Sequence, residues 1–146
     1  MDFFVKSLVK QNHPEYTEDE VREEVFRLCE ENFEKAERFL NQYFFSPESE
    51  SFGPLRWQVM TVLMDSPRKE IVNMLCRTTN YEQGMLMLLG DKYERGRVEW
   101  CLSNRLKVLI IGEAYFIGTK LSPGEKEFEE VLKKVLDILI AVKKKG

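Results

Sequence analysis

Apolar side chains recur every three or four residues along almost the whole chain, the spacing of one helical face. The last segment shows it most plainly. Phe128, Val131, Leu132, Val135, Leu136, Leu139 and Ile140 stand at i, i+3, i+4, i+7, i+8, i+11 and i+12. Val21, Val25, Leu28 and Cys29 mark a second face, and Phe33, Ala36, Leu40, Tyr43 and Phe44 a third. Leu55, Val59, Val62 and Leu63 follow, then Ile71, Val72, Met74, Leu75 and Cys76. Long apolar–polar alternation is absent, as are Asn-Gly and Asp-Gly hairpin turns. The pattern predicts an all-α fold: a multi-helix bundle of about eight helices, with a short N-terminal three-helix unit packed on a larger helical core.

Start and stop signals divide this pattern. Asp2 can cap a first helix that ends before Pro14, since the residue before a proline avoids helical geometry. Thr17–Glu20, Thr79–Glu82 and Ser122–Glu125 have the capping-box spacing, in which hydroxyl and carboxylate each accept a free backbone N–H. Asn32 is expected to cap the next helix, and Ser66 to cap another with Pro67 at its first position. Pro54 likewise suits a first turn. Gly90 should close a short helix over 81–89, and from Asp91 a single helix is expected toward Gly118, with Gly112 marking a break or a close contact. Gly84, Gly90 and Gly96 read as packing sites or helix ends. In the last helix, Glu129–Lys133 and Glu130–Lys134 are i,i+4 ion pairs in the favoured order. Lys143, Lys144 and Lys145 suit the negative end of its dipole. The polar stretch 46–53 reads as a linker between a small acidic unit, 1–45, and a main bundle, 54–146, unless all 146 residues form one domain.

Composition changes the picture only in part. A chain of 146 residues with 43% hydrophobic side chains can bury a core without staples. The net charge of −3 conceals an asymmetry: residues 1–50 carry 13 acidic against 6 basic groups, residues 51–146 carry 12 against 16. The aromatic and methionine content is high, and Met60, Met64, Met74, Met85 and Met87 at helical spacing read as core. Cys29, Cys76 and Cys101 are odd in number, widely spaced and in apolar contexts, which points to buried free thiols in a reducing compartment. No signal-peptide pattern opens the chain, and no apolar run approaches the ~20 residues that span a bilayer. A cytoplasmic location without membrane attachment is expected.

Most chemistry lacks a signature. The cysteines and the single histidine, His13, show no metal-ligand spacing, so no metal site is expected. There is no G-x-S-x-G, no phosphate loop and no GxGxxG, so neither catalytic residues nor a cofactor are expected, and the chain reads as a non-enzyme. One stretch suits nucleic acid. Lys92, Tyr93, Arg95, Arg97, Trp100, Arg105 and Lys107 interleave cations that neutralise phosphates with aromatics that stack on bases. The preceding 66–89 loosely follows helix, turn, helix. Against this, the second of those helices is rich in Met and Leu, and the pI of 5.4 lies far below the ~9 that marks nucleic-acid-binding domains.

The His13-Pro14 turn, the acidic capped helix after it, and Ala36 and Leu40 on a third helix resemble the UBA/CUE class of three-helix ubiquitin-binding domains. The likeness covers under a third of the chain. It departs at His13, where that class has a hydrophobic residue, and at Glu30-Glu31-Asn32, where a glycine is usual. What it implies is a protein partner. Phe44, Phe45 and Phe52 add aromatic bulk beyond what a small acidic unit hides by itself, and are the candidate partner-binding residues. The expectation is therefore a non-catalytic helical interaction or adaptor module whose partner is another protein or a second copy of the chain. The alternative is a nucleic-acid-binding regulator using 92–107, and a third class is an enzyme whose site is assembled from distant residues, since acidic residues are plentiful.

Overall fold

The computed structural model describes residues 11–44, 52–118, 120–121 and 125–145. These residues form an all-α bundle of eight helices: α1 Glu18–Glu31, α2 Phe33–Phe44, α3 Gly53–Met64, α4 Arg68–Cys76, α5 Asn80–Leu89, α6 Lys92–Glu99, α7 Asn104–Gly118 and α8 Lys126–Lys145. Of the expected first helix only the end is described, helical at Gln11 and Asn12; Ser122 of the third capping box, Phe45 and nearly all of the linker lie outside the described residues.

The centre is the α5–α7 pair, two helices whose second parts are buried on every side. Such stretches are stable only inside a core. Gln83 through Leu89 and Ile110 through Gly118 are all buried. Gly84 makes the crossing close: a Cβ there would meet the Ala114 backbone nitrogen at 3.1 Å. Gly118 does the same for Phe39, whose ring would lie 2.7 Å from an added Cβ. Around this pair, α1 and α2 pack on α7, while α8 packs on α3, α4 and α5. Helices on both sides of segment 46–53 thus share one apolar core.

Buried polar groups tie the layers together. The Gln83 amide donates to the Leu75 carbonyl at 2.8 Å and the Thr78 carbonyl at 3.2 Å, satisfying groups that the end of α4 leaves free. Glu113, 4% exposed, accepts from Arg22, whose guanidinium lies 4.9 Å from the ring centres of both Phe26 and Phe116. No described helix is long and apolar enough to cross a membrane.

The capping boxes at Thr17 and Thr79 form as read. Several local expectations do not. The segment 91–118 is two helices, because Ser103 caps a new start: its hydroxyl accepts from Leu106 N–H at 3.2 Å. The chain leaves α6 by tightened i→i+3 bonds from Cys101 to Val98 and from Leu102 to Glu99. Of the two outcomes expected at Gly112, the close contact forms and the break does not: α7 continues through it, and Phe26 presses within 3.2 Å of a would-be Cβ. Asn32 stands between α1 and α2: its carbonyl accepts the first N–H bonds of α2, from Lys35 and Ala36, but its side chain turns back to close α1, donating to the Leu28 carbonyl at 3.0 Å. Pro67 occupies the N-cap of α4, and the buried Ser66 hydroxyl instead donates back to Val62 O at 2.7 Å.

In α8, the apolar stripe turns with the helix: Ile140 is 38% exposed and Val142 takes the core position. Glu129–Lys133 pairs at 2.8 Å, but Lys134 leaves Glu130 for Glu82 on α5, also at 2.8 Å. Lys143 reaches Glu70 on α4 at 2.9 Å, so it joins two helices as well as lying near a helix end. Cys29 is buried, but Cys76 is exposed and Cys101 half-buried, so the reading of three buried thiols fails at the edges of their helices.

Candidate interaction face

Helix α6 is short and firmly capped. Asp91 N–H donates to the Glu94 carboxylate, and Glu94 N–H to that of Asp91, each at 2.8 Å. Its inward side carries Val98 and Arg95. Arg95 is 1% exposed and donates to the Gly90 carbonyl at 3.0 Å and to the Asn41 amide oxygen. Burial lowers its pKa, while the carboxylates of Glu37, Glu99, Asp91 and Glu94 favour its charge. Glu99 closes this internal cluster. Burial, and the negative charge of Glu37, push its carboxyl above the usual range, and its Oε1 accepts no hydrogen bond.

The outward side of α6 reads Tyr93, Gly96, Arg97, Trp100, at i, i+3, i+4 and i+7. Tyr93 is 77% exposed and Trp100 55%. Between them, one turn from either ring, Gly96 is exposed, and a Cβ there would meet nothing within 4 Å. It is neither a packing site nor a helix end, in contrast to Gly84 and Gly90. Glycine in a helix interior costs about 1 kcal/mol relative to alanine. No fold contact offsets that cost here.

Two cations converge on this stripe. The guanidinium of Arg97 lies 5.1 Å from the Trp100 ring centre and that of Arg68, from α4, lies 5.8 Å away. Arg97 donates one hydrogen bond to the Ser66 carbonyl at 2.7 Å, and its buried Nε donates none. Among the described residues, neither Arg68 nor Arg97 forms a salt bridge with a carboxylate. The Cys101 thiol lies beside them, with its pKa raised by burial and pulled back by both arginines.

Helix α3 borders α6, joined to it by the Arg56–Glu94 salt bridge at 3.2 Å. Its outward side carries Trp57, 67% exposed, with Thr61 and Met64 at i+4 and i+7. An open groove of about 680 Å³ runs there, lined by Arg56, Trp57, Met60, Met64, Asp65 and Lys143 among others. Both tryptophans of the chain therefore stand on neighbouring helices with their rings largely in water. Known protein families, curated proteins and solved structures contain no match to this chain.

The structure distributes the sequence-derived candidates unevenly. Of the basic stretch, Tyr93, Arg97 and Trp100 are brought together, and Lys92 and Arg105 are exposed. Arg95 is turned into the core, so no ligand at the surface reaches it. The Lys107 ammonium rests 5.4 Å from the Phe33 ring centre, on the far side of the break at 100–103. Phe44 lies under the Arg56 guanidinium at 4.8 Å, and Phe52 packs against the core, so neither stands free as a patch. Ala36 and Leu40 are buried in the shared core. Of the methionines, Met60, Met74, Met85 and Met87 are core, and Met64 is surface. Arg68, Trp57 and Gly96 were absent from the candidates. The signal for Gly96 was in the sequence: a glycine with aromatics three residues before and four after it lies between them on one helix face.

Proposed function

We propose that the protein is a helical protein–protein interaction module, and that its docking face is the outer surface of α6 with the adjoining surface of α3. The observation that carries this reading is Gly96. A destabilising glycine sits bare on a helix surface between two exposed aromatic rings, where it serves no internal contact. Glycine at such a point lets another backbone approach closely. Tyr and Trp are the residues most enriched among energetic anchors of interfaces. Polar pairing around the edge, at Arg56–Glu94 and Arg97–Ser66, supports the same reading, because it holds the face rigid before a partner arrives.

The test is a photo-reactive phenylalanine derivative placed at position 93, with a control chain carrying it at position 133 on the exposed side of α8. Expected is a discrete cross-linked species in cells from position 93, absent from position 133 and abolished by adding Trp100→Ala. Equal cross-linking from both positions, or none from position 93, contradicts the assignment.

A further inference from the structure

Resting on that reading, we infer that the partner presents an acidic amphipathic helix, seating a carboxylate on Arg68 and Arg97 beside Trp100 and a small side chain over Gly96. The stripe Tyr93–Gly96–Arg97–Trp100 is straight and two turns long. At 1.5 Å per residue that length matches the i, i+3, i+4, i+7 anchors through which helices are recognised. The bare Gly96 backbone sets the nearest approach, and the Tyr93 and Trp100 rings stand as walls one turn away on either side. The charge of the occupant follows from what the arginines lack. Three cations of the adjoining helices are paired, Arg56 with Glu94, Lys143 with Glu70 and Lys134 with Glu82, while Lys69 and Lys92 next to the stripe are exposed. Arg68 and Arg97 instead share a single indole and meet no carboxylate among the described residues. Both guanidinia lie over the Trp100 ring, so a carboxylate that docks at this indole meets two cations whose planar fork suits it.

The same observations disfavour a nucleic-acid strand. A strand needs cations spaced along its phosphates, whereas Arg95 is buried and Lys107 is engaged on Phe33. The two arginines gather at one indole, with Lys69 and Lys92 exposed in the adjoining positions. A second copy would have to bring its acidic α1 to this face in a head-to-tail contact, which builds open chains of molecules rather than a closed dimer.

The experiment is a binding titration of the full chain with a labelled 18-residue amphipathic peptide whose Leu–Ala stripe is flanked by Glu, beside the same peptide with Gln for every Glu. Expected is binding of the Glu peptide that weakens with salt, with the Gln peptide about tenfold weaker. Arg68→Gln, on an exposed position, should remove most of that difference while leaving the helical circular dichroism unchanged. Equal binding of the two peptides, lost in Tyr93→Ala/Trp100→Ala, overturns the acidic class and leaves the docking face standing. No binding of either peptide overturns the inference, and the cross-link from position 93 then decides the face separately. Tighter, Arg68-dependent binding of a 12-nucleotide single-stranded RNA overturns it in favour of nucleic acid. A chain mass that rises with concentration and is abolished by Arg68→Gln overturns it in favour of a second copy.

Discussion

Arg22 on α1 holds Glu113 on α7, and the two lie 91 positions apart in the chain. Glu113 is buried while Arg22 keeps one edge in water. Removing the arginine leaves a carboxylate in the core without its cation. Breaking a fully buried pair costs roughly 3–5 kcal/mol, and the partial exposure of Arg22 lowers that to about 2–3 kcal/mol for Arg22→Met. Adding Glu113→Leu should recover most of the loss, because the unpaired charge is gone. Urea denaturation of the single and double variants checks both steps.

Two glycines should respond in opposite directions to the same substitution. Gly84→Ala forces a methyl against the Ala114 backbone in the α5–α7 crossing and should destabilise by about 1–3 kcal/mol. Gly96→Ala meets open space and should stabilise by about 0.5–1 kcal/mol, or roughly 2–4 °C in Tm. Thermal melts of both variants decide it.

Glu99 should make the fold more stable in mild acid than its other carboxylates imply. Its folded pKa lies above the unfolded value, through burial and the charge of Glu37. The folded state therefore binds that proton more tightly than the unfolded state. Its contribution is full below the unfolded carboxyl pKa and is lost as pH rises through the folded one. Glu99→Gln should raise stability at neutral pH and flatten the curve just above pH 4.5. Stability measured from pH 4 to 8 in both chains checks the sign.

The three thiols should separate kinetically. Cys76 is exposed and should react with a thiol reagent in the native protein. Cys101, half-buried and with its thiol pKa raised by burial, should follow slowly. Cys29 should react only on unfolding. Mass spectrometry of timed samples gives the order.

Helix α8 docks within its own chain, against α3, α4 and α5. Leu139→Ala, at a fully buried position, should cost about 2–5 kcal/mol. The denaturation midpoint should not change with protein concentration, as it would if α8 paired between chains.

The helical class and most core positions were legible because periodicity reports which side of a helix is apolar, and tertiary packing seldom overrides a strong stripe. The stripe of α8 holds in the fold from Phe128 to Leu139 and ends at Ile140, where 3.6-residue periodicity carries the chain out of the core. Local chemistry with two solutions was not legible. Ser66, Asn32 and Lys134 each have a local partner in sequence, and in the fold a different group lies closer. The split at 100–103 depends on the Ser103 cap, which apolar continuity across Cys101 and Leu102 conceals. The basic stretch misled for a related reason. A linear list of cations does not show that Arg95 points inward while Arg68, from another helix, completes the set around Trp100. Gly96 was visible as a glycine, but its bareness is a property of the packed surface.

If Gly96 serves docking, it does so at a cost in stability. The most direct test of that role is the affinity of the Glu peptide for the native chain and for Gly96→Ala, measured beside their melting temperatures. Expected is that Gly96→Ala melts higher and binds at least about fivefold more weakly, because the methyl fills the space the partner's backbone uses. A variant that melts higher and binds equally well would contradict it.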